Sequence, residues 1–324
     1  MHVLITVKNK IPSLYYGGTE RVVWYLAKEL VGLGHKVTFL APEGSSSDFC
    51  KVLIYDASKS LNDQVPEYVD IVHVNEDFFK ENLVKPVVVT IHGNPDNYNG
   101  LHQNSIFVSQ NHSNRYQSKS YVHNGLNWDE YPKFIEGQKR ESFHFLGNAA
   151  WKVKNVKGAI STILNTKNET LKVLGGKRWH PNTFSLSTRV KYLGMVNDAK
   201  KAEVMSASKG LVFPVLWDEP FGLAITESLY YGCPVFGTQY GSLPELVTHD
   251  VGFLSNNRGE LTNAVLNSEA YSAKVCHDYA IEFFGAKKMA LSYINKYEKV
   301  LNGEVLNVNM PKLIEKPTSK LWVD

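Results

Sequence analysis

Glu219 and Glu227 stand eight positions apart in the stretch EPFGLAITE, around a proline, an aromatic and a glycine. Pro220 and Gly222 break the preceding apolar run, and a helix opening near Gly222 would end at Gly232. The amides of Phe221, Gly222 and Leu223 would then serve as donors to an anion, because the first N–H groups of a helix lack internal partners and lie at the positive end of its dipole. Glu219 would sit at the mouth of that helix, and Glu227 about 7 Å further along its axis at roughly 1.5 Å per residue. At two depths, each carboxylate could accept hydrogen bonds from hydroxyls on a different part of one elongated ligand. A sugar nucleotide has that shape: hexose, pyrophosphate, ribose and base. A plainer reading stands beside it on spacing alone, with Glu219 complementing the helix dipole and Glu227 solvated.

A second candidate anion contact lies near the start of the chain. Tyr15-Tyr16-Gly17-Gly18-Thr19 follows an apolar run and opens an amphipathic stretch. Gly17 and Gly18 would let the backbone approach a ligand closely at a helix start. The alternative is a tight strand–helix turn. The GxGxxG pattern of a dinucleotide site is not met, since the residues read GGTERV.

These residues need a frame. Short β-branched runs alternate with amphipathic stretches along most of the chain. Strands are expected at 2–7, 35–41, 51–56, 70–75, 86–93 and 105–110 in the first half. The second half repeats the theme at 143–148, 171–176, 190–195, 210–215 and 234–239, with a weaker run at 252–255. Between the first two runs, Val22, Val23, Leu26, Leu30 and Val31 fall on one helical face, and Gly34 supplies a stop. Further helices fit 154–165, 197–207, 222–231 and 258–268, and one long helical pattern runs from 271 to 301. Apolar strands separated by helices indicate parallel sheets covered on both faces. The expected fold class is α/β, with two doubly wound Rossmann-like domains facing across a cleft, where ligands meet the carboxyl ends of strands. The polar stretch 128–141 reads as the linker. The expected division is 1–135, 136–285, and a C-terminal helix and tail over 286–324 packing back toward the first domain.

Composition narrows the function classes. A chain of 324 residues with 43% apolar and 21% charged residues suits two soluble domains. Residues 1–140 hold 14 basic and 15 acidic residues and the rest 21 and 17, so neither half carries the basic excess expected of a nucleic-acid binder. No apolar run approaches the roughly 20 residues of a membrane span. The first residues read as a strand rather than a signal peptide. Cys50, Cys233 and Cys276 are odd in number and lack a CxxC spacing, which points to a reducing cytoplasm without disulfides or zinc.

The donor-like block, with ESLYYGCPVFGTQYGSLPELV following the first glutamate turn, resembles that of retaining GT-B glycosyltransferases of family 4. Other pieces match in the family's order: YGGTERVVWYLAKELVGLGHKVTFLAP, DIVHVN, TIHG, YVHNGLN and VKYLGMVND. The resemblance covers most of residues 1–260. It implies transfer of a hexose, with UDP-hexose the family's commonest donor, to an acceptor hydroxyl with retained configuration, without a metal or further cofactor. Glu219 and the backbone of Phe221, Gly222 and Leu223 would hold the hexose and distal phosphate, and Glu227 the ribose. His92 of TIHG would lie near the transferred sugar, Gly17 and Gly18 would approach the phosphates, and His73 is a weaker candidate. The family's arginine after the strand glycine is replaced by Asn148, which lacks a fixed charge and bidentate fork. The family's following lysine could be Lys152, Lys154 or Lys157, and register favours Lys154. No D-x-D triplet occurs in the chain. The acceptor, whether glycan, lipid-linked or small molecule, is not specified, and peripheral contact with the inner face of a membrane is compatible with the family. A sugar-nucleotide epimerase and a silent sugar-nucleotide-binding protein are the rival readings.

Overall fold

A computed structural model describes residues 1–13, 17–79, 81–96, 100–314 and 320–323. Tyr15 and Tyr16 of the first glycine motif lie outside the described residues. The chain divides into two compact units, Met1–Asn127 with Phe284–Lys316, and Trp128–Phe283 with Pro317–Asp324.

The first unit begins with β1 (His2–Thr6), α1 (Gly18–Gly32), β2 (Lys36–Ala41), β3 (Lys51–Ile54), β4 (Ile71–Val74), β5 (Val87–Ile91), β6 (Ser105–Phe107) and the short α2 (Gln110–Arg115). Its sheet runs in the order β3-β2-β1-β4-β5-β6 and every pairing is parallel. This is the doubly wound order in which β1 to β3 advance one way and the chain then crosses back to place β4 on the other side of β1 and continues outward. Both faces are covered, so β4 and β5 are buried throughout; β5 reads as an unbroken β-branched run and β4 is interrupted only by His73.

The second unit repeats that topology. It contains β7 (Ser142–Leu146), α3 (Val156–Leu164), β8 (Leu171–Leu174), β9 (Val190–Gly194), α4 (Asp198–Ser206), β10 (Ser208–Phe213), α5 (Leu223–Tyr230), β11 (Val235–Gly237), α6 (Leu243–Leu246), β12 (Gly252–Leu254), α7 (Arg258–Leu266) and α8 (Ala273–Phe283). The sheet order is β12-β11-β10-β7-β8-β9, again parallel. Both units are therefore Rossmann-like α/β domains of the expected class.

Two stretches differ from their sequence reading. The helical pattern over 271–301 is two helices, α8 and α9 (Ala286–Leu301), separated at Gly285, whose backbone is extended. Here the chain re-enters the first unit: Leu126 N donates to the Phe284 carbonyl and Ala286 N to that of Leu126. The stretch 128–141, read as a linker, contains buried Trp128 and Tyr131 and belongs to the second unit. Trp128 stacks on Tyr230 with ring centroids 4.5 Å apart.

α9 packs on α1 and is tied to the sheet by a buried polar network. His73 Nδ1 lies 2.7 Å from the Tyr297 hydroxyl, and its Nε2 2.7 Å from Thr90 Oγ1, which in turn meets the Tyr293 hydroxyl at 3.0 Å. Burial holds His73 neutral, with its pKa pushed down to about 3. These contacts give His73 a place in the core.

Candidate active site

The strongest constellation lies in the second unit, around the turn from β10 into α5. Gly222 is the N-cap of α5 and has φ +93°, in the left-handed region that a side chain disfavours. Glu219 and Phe221 precede it and are almost fully buried. The turn is braced by the loop before α6: Ser242 N donates to the Glu219 carbonyl at 2.9 Å and Ser242 Oγ to that of Phe221 at 2.6 Å. Gly241 (φ +63°) permits this approach, since a Cβ there would stand 2.1 Å from Glu219 N.

Glu219 does not sit alone. Its carboxylate meets Lys154 Nζ at 2.5 Å and accepts from Trp217 Nε1 at 2.8 Å. The Lys154 ammonium also lies over the rings of Trp217 and Phe213, 4.7 and 5.4 Å from their centroids. Lys154 owes its position to Asn155, which adopts a left-handed conformation and caps α3, accepting from Gly158 N at 3.0 Å. The same Asn155 side chain donates to the Pro214 carbonyl at 2.9 Å, tying the α3 start to the end of β10. Of the three lysines weighed from sequence, it is Lys154 that the structure brings to Glu219.

One turn and a half into α5, Glu227 is equally buried, with 6% of its surface exposed. Lys201 Nζ lies 2.5 Å from its Oε1, and the Tyr131 hydroxyl donates to the same oxygen at 3.0 Å. Lys201 is itself only 8% exposed and also meets Asp198 at 3.1 Å. Neither Lys201 nor Tyr131 stood out in the sequence. The available signal was a lysine among the buried positions Ala202, Val204 and Met205 of α4, where an unpaired charge would be costly.

α5 is anchored from beneath by His144 of β7, whose Nε2 lies 2.8 Å from Ser228 Oγ and whose Nδ1 lies 2.7 Å from Ser208 Oγ. Burial pushes its pKa down to about 3, so the ring is neutral. Asn148, at the arginine position of the family pattern, turns back on its own loop, with Oδ1 accepting from Ala150 N at 3.2 Å.

The first unit holds the other sequence candidates. His92 follows β5 and is half-buried, with Nε2 2.8 Å from Asn75 Oδ1. Asn75 Nδ2 donates to the Thr6 carbonyl at 3.1 Å, so its oxygen faces the histidine. His92 then carries its proton on Nε2 and keeps Nδ1 as an acceptor. Burial lowers its pKa to about 4. Gly17 caps α1, and a Cβ there would stand 2.5 Å from Glu20 Oε2 and 2.7 Å from Ser13 Oγ. A carboxylate thus already occupies the start of α1, and an anion at Gly17 and Gly18 would have to displace it.

Residues 132–275 match the family model of glycosyl transferases group 1. The second unit carries a glycosyltransferase domain. Asn148, Lys154, Lys201, Glu219 and Glu227 all fall inside that match, whereas His92, Gly17 and Gly18 lie outside it. The fold of the whole chain is similar to solved GT-B structures. AviGT4, a glycosyltransferase involved in avilamycin A biosynthesis, is 18% identical with a TM-score of 0.76, covering 93% of this chain and 98% of that one. Sucrose-phosphate synthase from Thermosynechococcus elongatus is 16% identical with a TM-score of 0.71, over 94% and 100% of the two chains. HepE from Anabaena, solved in complex with UDP and glucose, is 17% identical with a TM-score of 0.66, over 92% and 100%. None of the curated proteins matches the sequence. Among the described residues, no helix is long and apolar enough to cross a membrane.

Proposed function

We propose that this chain is a retaining glycosyltransferase that moves a hexose from a nucleoside diphosphate, UDP foremost, to an acceptor hydroxyl without a metal ion. The observation that carries the reading is the pair of buried ion pairs flanking the start of α5, Lys154 with Glu219 and Lys201 with Glu227. Charges this deep are costly unless they serve a bound group or a fixed geometry. Here they border amides of a helix start, which favour phosphate oxygens. In this reading the Glu219 turn and the amides of Phe221, Gly222 and Leu223 take the hexose and distal phosphate. Glu227, held by Lys201 and Tyr131, takes the ribose hydroxyls, and His92 meets the transferred sugar.

As the bond from the anomeric carbon to the diphosphate breaks, negative charge gathers on the departing oxygens. Lys154 and the helix-start amides stabilise it, and fixed donors of this kind need no reorganisation during the step. Their presence supports transfer without a divalent cation. The preference for UDP rests on the family resemblance and on HepE, whose solved complexes hold UDP, glucose and UDP-glucose.

A panel of nucleotides and nucleotide sugars tested by thermal shift is the direct check. A ligand present at a hundred times its Kd stabilises by about 2.7 kcal/mol, a shift of several degrees. Glu227→Ala should weaken UDP binding in calorimetry, whereas His92→Ala should lower turnover and leave UDP affinity close to wild type. Unaltered UDP affinity in Glu227→Ala would remove the ribose assignment. A panel in which no nucleotide stabilises the protein would remove the transferase reading.

A further inference from the structure

The loop after β4 places an acidic residue against the His92 peptide that no part of the donor reading uses. Asp77 is half-buried, and its Oδ1 accepts from the backbone N–H of His92 at 2.9 Å and, more weakly, from that of Gly93 at 3.4 Å. Its other oxygen, Oδ2, lies 2.6 Å from where a Cβ on residue 93 would stand, so glycine is the residue that leaves room for it. Among the described residues no donor reaches Oδ2. An ionised carboxylate offers about four acceptor positions, and Asp77 engages two of them on one oxygen. Burial raises its pKa, which makes the unmatched oxygen a stronger base.

His92 presents the same polarity. Asn75 fixes its proton on Nε2, so Nδ1 is an acceptor, and no described residue donates to it. The ends of β4 and β5 therefore carry two neighbouring acceptors. Lys8 acts on Asp77 as a nearby charge without a hydrogen bond to it, and the open acceptors suit hydroxyl donors, the groups a carbohydrate supplies.

We propose that Asp77 is a substrate-binding residue: Oδ2 receives a carbohydrate hydroxyl beside His92, while Oδ1 holds the His92–Gly93 peptide in place. This assignment rests on the glycosyltransferase reading. The hydroxyl belongs to the transferred hexose or to the acceptor, and the two sources are separable by assay.

The test compares Asp77→Asn with Asp77→Ala, using UDP and the UDP-sugar that stabilises the wild type. Asparagine keeps an oxygen for the two backbone amides but removes the charge and the second acceptor. Asp77→Asn should melt within a degree or two of wild type, bind UDP unchanged, and lose about 10- to 100-fold in kcat/KM, the range for a hydrogen bond to a charged group. Asp77→Ala should lose activity and melting temperature together. If slow hydrolysis of the UDP-sugar without acceptor falls in parallel, the hydroxyl is on the donor hexose; if hydrolysis holds and the acceptor KM rises, it is on the acceptor. An active wild type alongside Asp77→Asn within threefold of it overturns the Asp77 assignment and leaves the transferase reading standing. A wild type that neither binds nor turns over any nucleotide sugar removes both.

Discussion

Replacing Lys154 with methionine should destabilise the second unit by about 3–5 kcal/mol, the cost of stranding one member of a buried ion pair. The pair is 2.5 Å long, with side-chain exposures of 12% for Lys154 and 8% for Glu219. At an effective dielectric constant near 20, that separation corresponds to about 7 kcal/mol of attraction, much of it offset by dehydration of the two ions. Methionine retains the stem against Phe213 and Trp217 but leaves Glu219 with Trp217 Nε1 as its remaining side-chain donor among the described residues. Glu219→Gln is the milder change, near 1–2 kcal/mol, because the amide oxygen can still accept from the Lys154 ammonium, which also keeps the ring faces of Trp217 and Phe213. The double variant should recover most of the loss, giving a coupling energy well outside the additivity error of about 0.5 kcal/mol. Five of the six tryptophans, at 128, 151, 179, 217 and 322, belong to the second unit, so urea unfolding followed by tryptophan fluorescence reports chiefly on it. A Lys154→Met variant within 0.5 kcal/mol of wild type would refute the buried pair.

Two further outcomes follow from the same unit. His144 is neutral in the fold, with a pKa of about 3 against 6.5 for a free histidine; between those values the unfolded chain holds a proton the folded one lacks, so stability falls as pH falls, by about 1.4 kcal/mol per pH unit. His144→Gln should flatten the pH dependence of urea unfolding by that amount below about pH 5.5, and an unchanged slope would contradict a neutral buried ring. Gly241→Ala must push on the Glu219 backbone, 2.1 Å from the new Cβ, at about 1–3 kcal/mol; it should lower both the melting temperature and UDP affinity, and a wild-type melting curve would show that the turn yields freely.

The regular elements were legible because their signals are local. Most strands are short apolar runs rich in valine, isoleucine, leucine or phenylalanine, and α5 falls where Pro220 and Gly232 bracket it. What escaped depends on contacts between distant positions. Lys201 matters through Glu227, 26 residues away, and its own helix has too few apolar positions to mark the lysine as inward-facing. Tyr131 and Trp128 read as linker because a 3₁₀ turn at Trp128–Glu130 has no helical period to display; against Tyr230 Trp128 stacks and Tyr131 packs edge-on. The break at Gly285 was hidden for the opposite reason. The apolar pattern resumes directly after it, so the glycine alone did not mark an end, and the backbone pairing with Leu126 fixes the interruption there.

Neutralisation in pairs shapes what the site can bind. Glu219 before α5 and Glu227 within it are each already matched by a lysine. A diphosphate entering there brings negative charge that neither pair can absorb while closed. It must draw Lys154 partly away from Glu219 or rest on the helix-start amides. The aromatic faces of Trp217 and Phe213 ease the first route, because they retain attraction for the ammonium as it moves. Asn148 is neutral and adds no cation, and its side chain turns into its own loop. In the proposed function, then, Lys154 is a shared charge whose position depends on whether the donor is bound, and Glu219 holds it ready when the site is empty.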